Sequence, residues 1–239
     1  MADFDRSYAR TAPRTMDASI DQGLRSYMLG VYNYMAMALA LTGGVAFVTA
    51  NTPGLMQAIF GTPLQWLVML APLGIVFYLS ARVHKMSPAA AQGWFWAFAA
   101  IFGLSLSSIF IVYTGTDIAR TFFVTAASFG ALSLWGYTTK RDLTGMGSFL
   151  FMGLIGLILA SIVNIFLRSS GLEFAISAIG VLVFAGLTAY DTQRIKSMYY
   201  AVGGDASAAK RASIMGALSL YLDFINLFLF LLRFMGGRE

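Results

Sequence analysis

The chain has 239 residues, of which 58% are hydrophobic and only 11% charged, with a mean hydropathy of +0.72. Soluble domains carry about 25% charged residues, so this composition points to a polytopic membrane protein and excludes an ordinary soluble domain. Cysteine is absent and His84 is the single histidine, which excludes disulfides, thiolate catalysis and Cys-based metal sites and leaves zinc or haem without a ligand set.

Residues 1–25 mix Arg6, Arg10, Arg14 and Arg25 with Asp3, Asp5, Asp17 and Asp21, and hold too few large apolar residues to fold alone. They read as a cytoplasmic tail whose last part could form an interfacial helix. No cleavable signal peptide is expected, because the first apolar run begins near residue 27 and is too long for a signal segment. From there, apolar segments at 27–50, 63–81, 93–113, 120–137, 148–167, 173–191 and 214–235 each approach the roughly 20 residues a spanning helix needs. The expected fold is an all-α bundle of seven transmembrane helices over 26–239, with the C-terminal helix central. Connections are expected at 51–54, 81–88, 113–117, 137–147 and 168–171, with a longer polar loop around 200–211.

The basic residues suggest an orientation. With the N-terminus inside, Arg6, Arg10, Arg14, Arg25, Arg82, Lys85, Lys140, Arg141, Arg194, Lys196, Lys210 and Arg211 fall inside, and Arg120, Arg168, Arg233 and Arg238 outside. This twelve-to-four asymmetry follows the positive-inside rule and places the C-terminus outside. It also accounts for the net charge of +5 without nucleic acid as a partner. Ala36, Ala40 and Gly44, Ala126 and Gly130, and Gly156 and Ala160 are spaced by four, as helices that approach closely in lipid require. Pro72 falls inside the second span and is expected to kink it. Ser105, Ser107, Ser108 and Asn164 are expected to serve helix contacts.

Two carboxylates fall within or at the end of apolar spans on the inner half. Asp223 lies near the middle of IMGALSLYLDFINLFLFLLRFM, where a charge costs at least about 2.5–3.5 kcal/mol, so it needs shelter and a reason to be there. At helical spacing it shares a stripe with Gly216, Ser219 and Asn226, which should face protein or water. Asp191, at the end of VFAGLTAYDT, can lie at a similar depth. If the two meet they cannot both ionise cheaply; they would share one proton, and when ionised they would offer hard oxygen ligands suited to Ca²⁺. The bland alternative for Asp191 is a local pair with Arg194, three residues on. Arg82 is either a snorkelling residue or a latch on the acidic pair. The glycine-rich stretches lack the Lys-Ser/Thr of a phosphate loop, and one loop histidine makes no catalytic triad.

Three runs carry a family resemblance: FFVTAASFGALSLWGYTTKRDLTGMGSFLFMGLIGLILASIVNIFL over 122–167, GLTAYDTQRIK over 186–196, and LSLYLDFINLFLFLLRFMG over 218–236. In order and spacing they resemble the transmembrane Bax inhibitor motif (Bax inhibitor-1-like) family in its bacterial branch; residues 1–80 resemble it mainly in hydropathy. The resemblance implies seven helices with the last wrapped by the other six, and a pH-sensitive calcium leak. It also implies a paired aspartate site on Asp191 and Asp223 and an arginine at Arg82, although no surrounding motif anchors the last. The Lys-rich tail of some eukaryotic members is missing here. The expectation is therefore a non-enzymatic cation leak without cofactor, in a bacterial inner membrane, with lipid, protons and calcium ions as its partners. Two other classes remain open: an adaptor that restrains another membrane protein, and an intramembrane aspartyl protease, for which Asp223 lacks a Gly-x-Gly neighbour.

Overall fold

The structure is a computed structural model that describes the backbone of residues 4–202 and 204–236, with side chains from Gln22 onward. The side chains of Arg6, Arg10, Arg14 and Asp17, and all of Asp3 and Arg238, lie outside the described residues. Nine α-helices, one 3-10 helix (Val83–Lys85) and no strand occur among the described residues: α1 (Phe4–Ala50), α2 (Pro53–Phe60), α3 (Leu64–Arg82), α4 (Pro88–Leu106), α5 (Ile109–Val112), α6 (Gly115–Thr138), α7 (Thr144–Leu167), α8 (Ser170–Ala201) and α9 (Ala206–Met235). Seven are long and apolar enough to cross a membrane: α1 from Gln22, α3, α4 with α5, α6, α7, α8 and α9. In hydrocarbon no water can satisfy a bare peptide group, so a chain this apolar closes its backbone bonds within helices.

The bundle is organised by which helix is polar enough, or small enough, to be buried. In its most apolar stretch α9 is 61% buried, against 44% for α8 and 33% or less for the others. It packs on α1, α4, α6 and α8, whereas α3 packs chiefly on α4, and α7 on α8. Four helices line α9, and two form an outer layer.

The helices also run further than their apolar cores. α8 extends to Ala201 and α9 starts at Ala206, so most of the expected loop near 200–211 is helix. Asp205 accepts hydrogen bonds from the N–H groups of Ser207 (2.8 Å) and Ala208 (3.1 Å), capping the first turn of α9. Those bonds, led by the one from Ala208, hold the exposed Asp205 carboxyl below the usual carboxylate range. At about 1.5 Å per residue, α9 is about 45 Å long, well beyond the roughly 30 Å hydrocarbon core, so its ends project from it.

Pro72 has no N–H, so the carbonyl of Val68, one turn earlier, loses its helical donor. The Ser105 hydroxyl of α4 donates to that oxygen at 2.6 Å, and α3 continues through the proline. Asn164 caps the α7–α8 turn, its side-chain oxygen accepting from the Ser169 N–H at 3.0 Å while Arg168 adopts a left-handed φ of 48°.

Of the small residues spaced by four in the sequence, Ala126 and Ala160 pack against the core, but the glycines do not make the close contacts. Ala36, Ala40 and Gly44 are exposed, and a Cβ added at Gly44, Gly130 or Gly156 meets nothing within 4 Å. The buried stripe of α1 is Val31, Met35, Ala38, Thr42 and Ala46, turned inward by Thr42, whose hydroxyl donates to the Ala99 carbonyl at 2.8 Å and bonds the Tyr221 hydroxyl at 2.8 Å. Intimate approach occurs instead at Gly103 against Val45 and the Thr42 backbone, and at Gly136 against the Ala189 backbone. Spacing alone cannot tell which of two equally small stripes faces protein; the partner helix decides.

Candidate functional site

α8 and α9 make the most extensive helix contact in the bundle. Glycine permits it at both ends: Gly216 sits against Ile195, where an added Cβ would lie 3.0 Å from Cγ2, and Gly180 faces the Phe230 ring. Between these contacts Asp191 of α8 and Asp223 of α9 line one cavity. Asp223 is 5% exposed, and its Oδ2 is buried without a hydrogen-bond partner. Two ionised carboxylates only accept, so neither can satisfy the other.

The pair lies in the wall of a cavity of about 800 Å³. It occupies the gap between α7 and α9, with α8 as its back. Ser148, Tyr190, Arg194, Ser219 and Asn226 add polar groups to the two aspartates, and Phe151, Ile158, Phe184 and Leu187 form the apolar wall. Asn226 donates one amide N–H to the Leu222 carbonyl of its own helix (2.8 Å) and keeps its second N–H and its side-chain oxygen for the cavity. Of the stripe predicted around Asp223, Ser219 and Asn226 line this cavity. Gly216 does not; it serves the helix contact with Ile195.

Asp191 also meets a cation. Arg194 Nη1 is 3.5 Å from Asp191 Oδ1, the limit of a hydrogen bond, and the arginine side chain is 55% exposed against 14% for the aspartate. An arginine held this loosely can leave. Arg82, by contrast, is the exposed last residue of α3 and makes no ion pair among the described residues, while the local Asp191–Arg194 pair expected from the i+3 spacing is present. No cluster of three metal-ligating side chains occurs among the described residues. Calcium takes six to eight oxygens, so the aspartates, Ser219 and Asn226 would need water to complete a shell.

Two features of the site escaped sequence reasoning. Gln193 accepts from the Leu143 N–H (2.9 Å) and donates to the Arg141 carbonyl (2.8 Å), while Lys196 donates to the Tyr137 carbonyl (3.0 Å), tying α8 to the α6–α7 turn. On the other side of α8, the hydroxyls of Tyr32, Ser133 and Thr192 form a chain at 2.7 and 2.9 Å across α1, α6 and α8. The turn of α8 that carries Asp191 is thus bonded to three other elements. The concentration of polar residues in DTQRIK was the available signal; its partners are too distant in the chain to be read.

The family model for the inhibitor of apoptosis-promoting Bax1 (Bax1-I) matches residues 24–239, nearly the whole chain. The chain belongs to the Bax inhibitor family. Within that family it is 52% identical over 239 residues to the Rickettsia prowazekii (strain Madrid E) protein RP147, covering all of both chains. It is 49% identical over 238 residues to the inner membrane protein YbhL of Escherichia coli (strain K12), covering 99% of each. It is 36% identical over 222 residues to the membrane protein SpyM3_0260 of Streptococcus pyogenes serotype M3, covering 92% of this chain and 96% of that one. None of these names describes an enzyme. A multi-pass membrane protein of the Bax inhibitor family is therefore the frame in which the aspartate site is to be understood.

Proposed function

We propose that this chain is a pH-sensitive cation leak of a bacterial inner membrane, with calcium as the permeant ion and the Asp191–Asp223 pair as its gate. The observation that carries the reading is that both carboxyls line one cavity of about 800 Å³, Asp223 buried with its Oδ2 lacking a partner and Asp191 half-buried beside Arg194. A carboxylate within a span is a functional group by default, because its burial is too costly to be incidental.

The chemistry runs through charge. With one shared proton, the pair carries a single negative charge that Arg194 balances, and the short hydrogen bond draws α8 and α9 together. Loss of that proton leaves two like charges in a low-dielectric setting with only one positive partner. Their repulsion is relieved when α8 and α9 separate, or when a divalent cation takes the place of Arg194. Protonation state thereby becomes helix position, and the same oxygens that sense protons coordinate the passing ion together with Ser219, Asn226 and water. A bias of about 1.4 kcal/mol moves a balanced two-state equilibrium about tenfold, so modest changes at the pair suffice.

Purified protein in calcium-free liposomes, assayed for calcium entry across a pH series, tests this. Asp223→Asn and Asp191→Asn each keep the shape and remove the shared titration, so each should flatten the pH dependence, and the double substitution should add little because the two act as one unit. Wild-type liposomes that pass no calcium at any pH, or a single variant that keeps the full pH response, would overturn the assignment.

A further inference from the structure

At the end of the bundle where α3 turns into α4 and α8 into α9, a second cavity of about 420 Å³ opens. Its charged or titratable lining is His84, Arg194 and Arg211, with no aspartate or glutamate, and Met198, Met215 and Val83 form an apolar wall. The neighbouring lysines are already engaged: Lys196 bonds the Tyr137 carbonyl at 3.0 Å, and Lys210 lies 4.8 Å from the centre of the Tyr34 ring. Arg211 has no ion pair or hydrogen bond among the described residues. Asp205, the acid that acts on it, is exposed and committed to capping α9 through Ser207 and Ala208. Two guanidinium groups thus converge on one hollow, Arg194 only loosely paired with Asp191 and Arg211 without an ion pair, and their mutual repulsion falls when an anion joins them.

We infer that His84, Arg194 and Arg211 form a binding site for a phosphate-bearing anion, and that this anion competes with Asp191 for Arg194. Guanidinium forks pair bidentately with phosphate oxygens, which two arginines facing one hollow can do from two sides. Basic hollows between transmembrane helices recognise anionic headgroups, and the methionine and valine wall suits the first carbons of an acyl chain. Arg194 lines this cavity and the aspartate cavity alike. Its contact with Asp191 is long and half-exposed, so a doubly charged phosphate group outcompetes a single carboxylate for it. Withdrawal of Arg194 leaves the aspartate pair without its balancing charge. That last consequence rests on the gating role proposed for the pair; the binding site does not.

The test uses the full chain in nanodiscs of phosphatidylcholine. Phosphatidic acid binding is followed by native mass spectrometry, and inorganic phosphate binding by calorimetry. The wild type should bind at least one of the two, and Arg211→Gln and His84→Gln should each weaken that binding, the arginine substitution by about tenfold, as loss of a charge-assisted hydrogen bond implies. Arg211→Lys should restore part of it, and thermal unfolding should show all variants folded. Retention of phosphatidic acid assigns the site to lipid, and response to phosphate alone assigns it to a soluble ligand. Binding of neither, or binding that both glutamine variants retain in full, overturns the site. Calcium entry measured with and without phosphatidic acid then separates the two readings: binding with unchanged flux in a leaking wild type overturns the competition for Arg194, whereas a wild type that never leaks overturns the gate and leaves the binding result standing.

Discussion

Ser105 offers a direct check on how this bundle satisfies its backbone. Its hydroxyl donates at 2.6 Å to the Val68 carbonyl, which Pro72 has deprived of a helical partner. Ser105→Ala removes that donor and leaves a carbonyl buried, with Val68 7% exposed, where water cannot replace it. Intramembrane side-chain hydrogen bonds average about 0.6 kcal/mol and reach about 1.7, and stranding a buried acceptor costs about 1–3, so a loss of about 1–2 kcal/mol is expected. Pro72→Ala restores an N–H at the right place, and in that background Ser105→Ala should cost less than about 0.5 kcal/mol. Reversible unfolding in mixed micelles of the four proteins of this cycle measures the coupling. Equal losses in both backgrounds would show that the serine does not stand in for the proline's missing donor.

Helix packing can be tested at Gly136 and Gly130 on the same helix. Gly136→Ala drives a methyl into the Ala189 backbone, with Cα at 2.8 Å, and should cost about 1–3 kcal/mol, whereas Gly130→Ala meets nothing and should be neutral or gain up to about 1 kcal/mol; thermal unfolding in detergent separates them. The loose Arg194–Asp191 pair is worth at most about 1 kcal/mol, so Arg194→Gln should raise calcium entry at fixed pH by up to about fivefold while Arg82→Gln leaves it unchanged; the reverse pattern would make Arg82 the latch. Reporter fusions at Met235 and near Gly204 should report opposite sides of the membrane, and two reporters on the same side would remove a span. Asp205 has its carboxyl lowered by capping bonds, so its stabilisation of α9 is present above about pH 4 and lost as pH falls through the lowered value; amide exchange at Ser207 and Ala208 should quicken in that acid range and not at neutral pH.

Composition and hydropathy alone determined that this is a seven-span helical membrane protein, because hydrocarbon accepts only backbones that close their own hydrogen bonds and that demand is written in runs of about 20 apolar residues. They also singled out Asp223, since a carboxylate amid leucines and phenylalanines is conspicuous without any coordinates, and they put Asp191 within plausible reach. What they could not decide is anything that depends on how one helix is turned against another. Ala36, Ala40 and Gly44 read as well as Ala38, Thr42 and Ala46 until the Ala99 carbonyl and the Tyr221 hydroxyl claim Thr42. Arg194, three residues from Asp191, was legible as its partner, but its place between two cavities depends on how α8 is turned against its neighbours. The partners of Gln193 and Ser133 lie about fifty or more residues away in the chain. Burial of single residues leaves a periodic trace along a helix, and a pair three residues apart such as Asp191 and Arg194 is legible there too, whereas contacts between helices leave no trace, and the cavity that Asp191 and Asp223 share is set by contacts of that second kind.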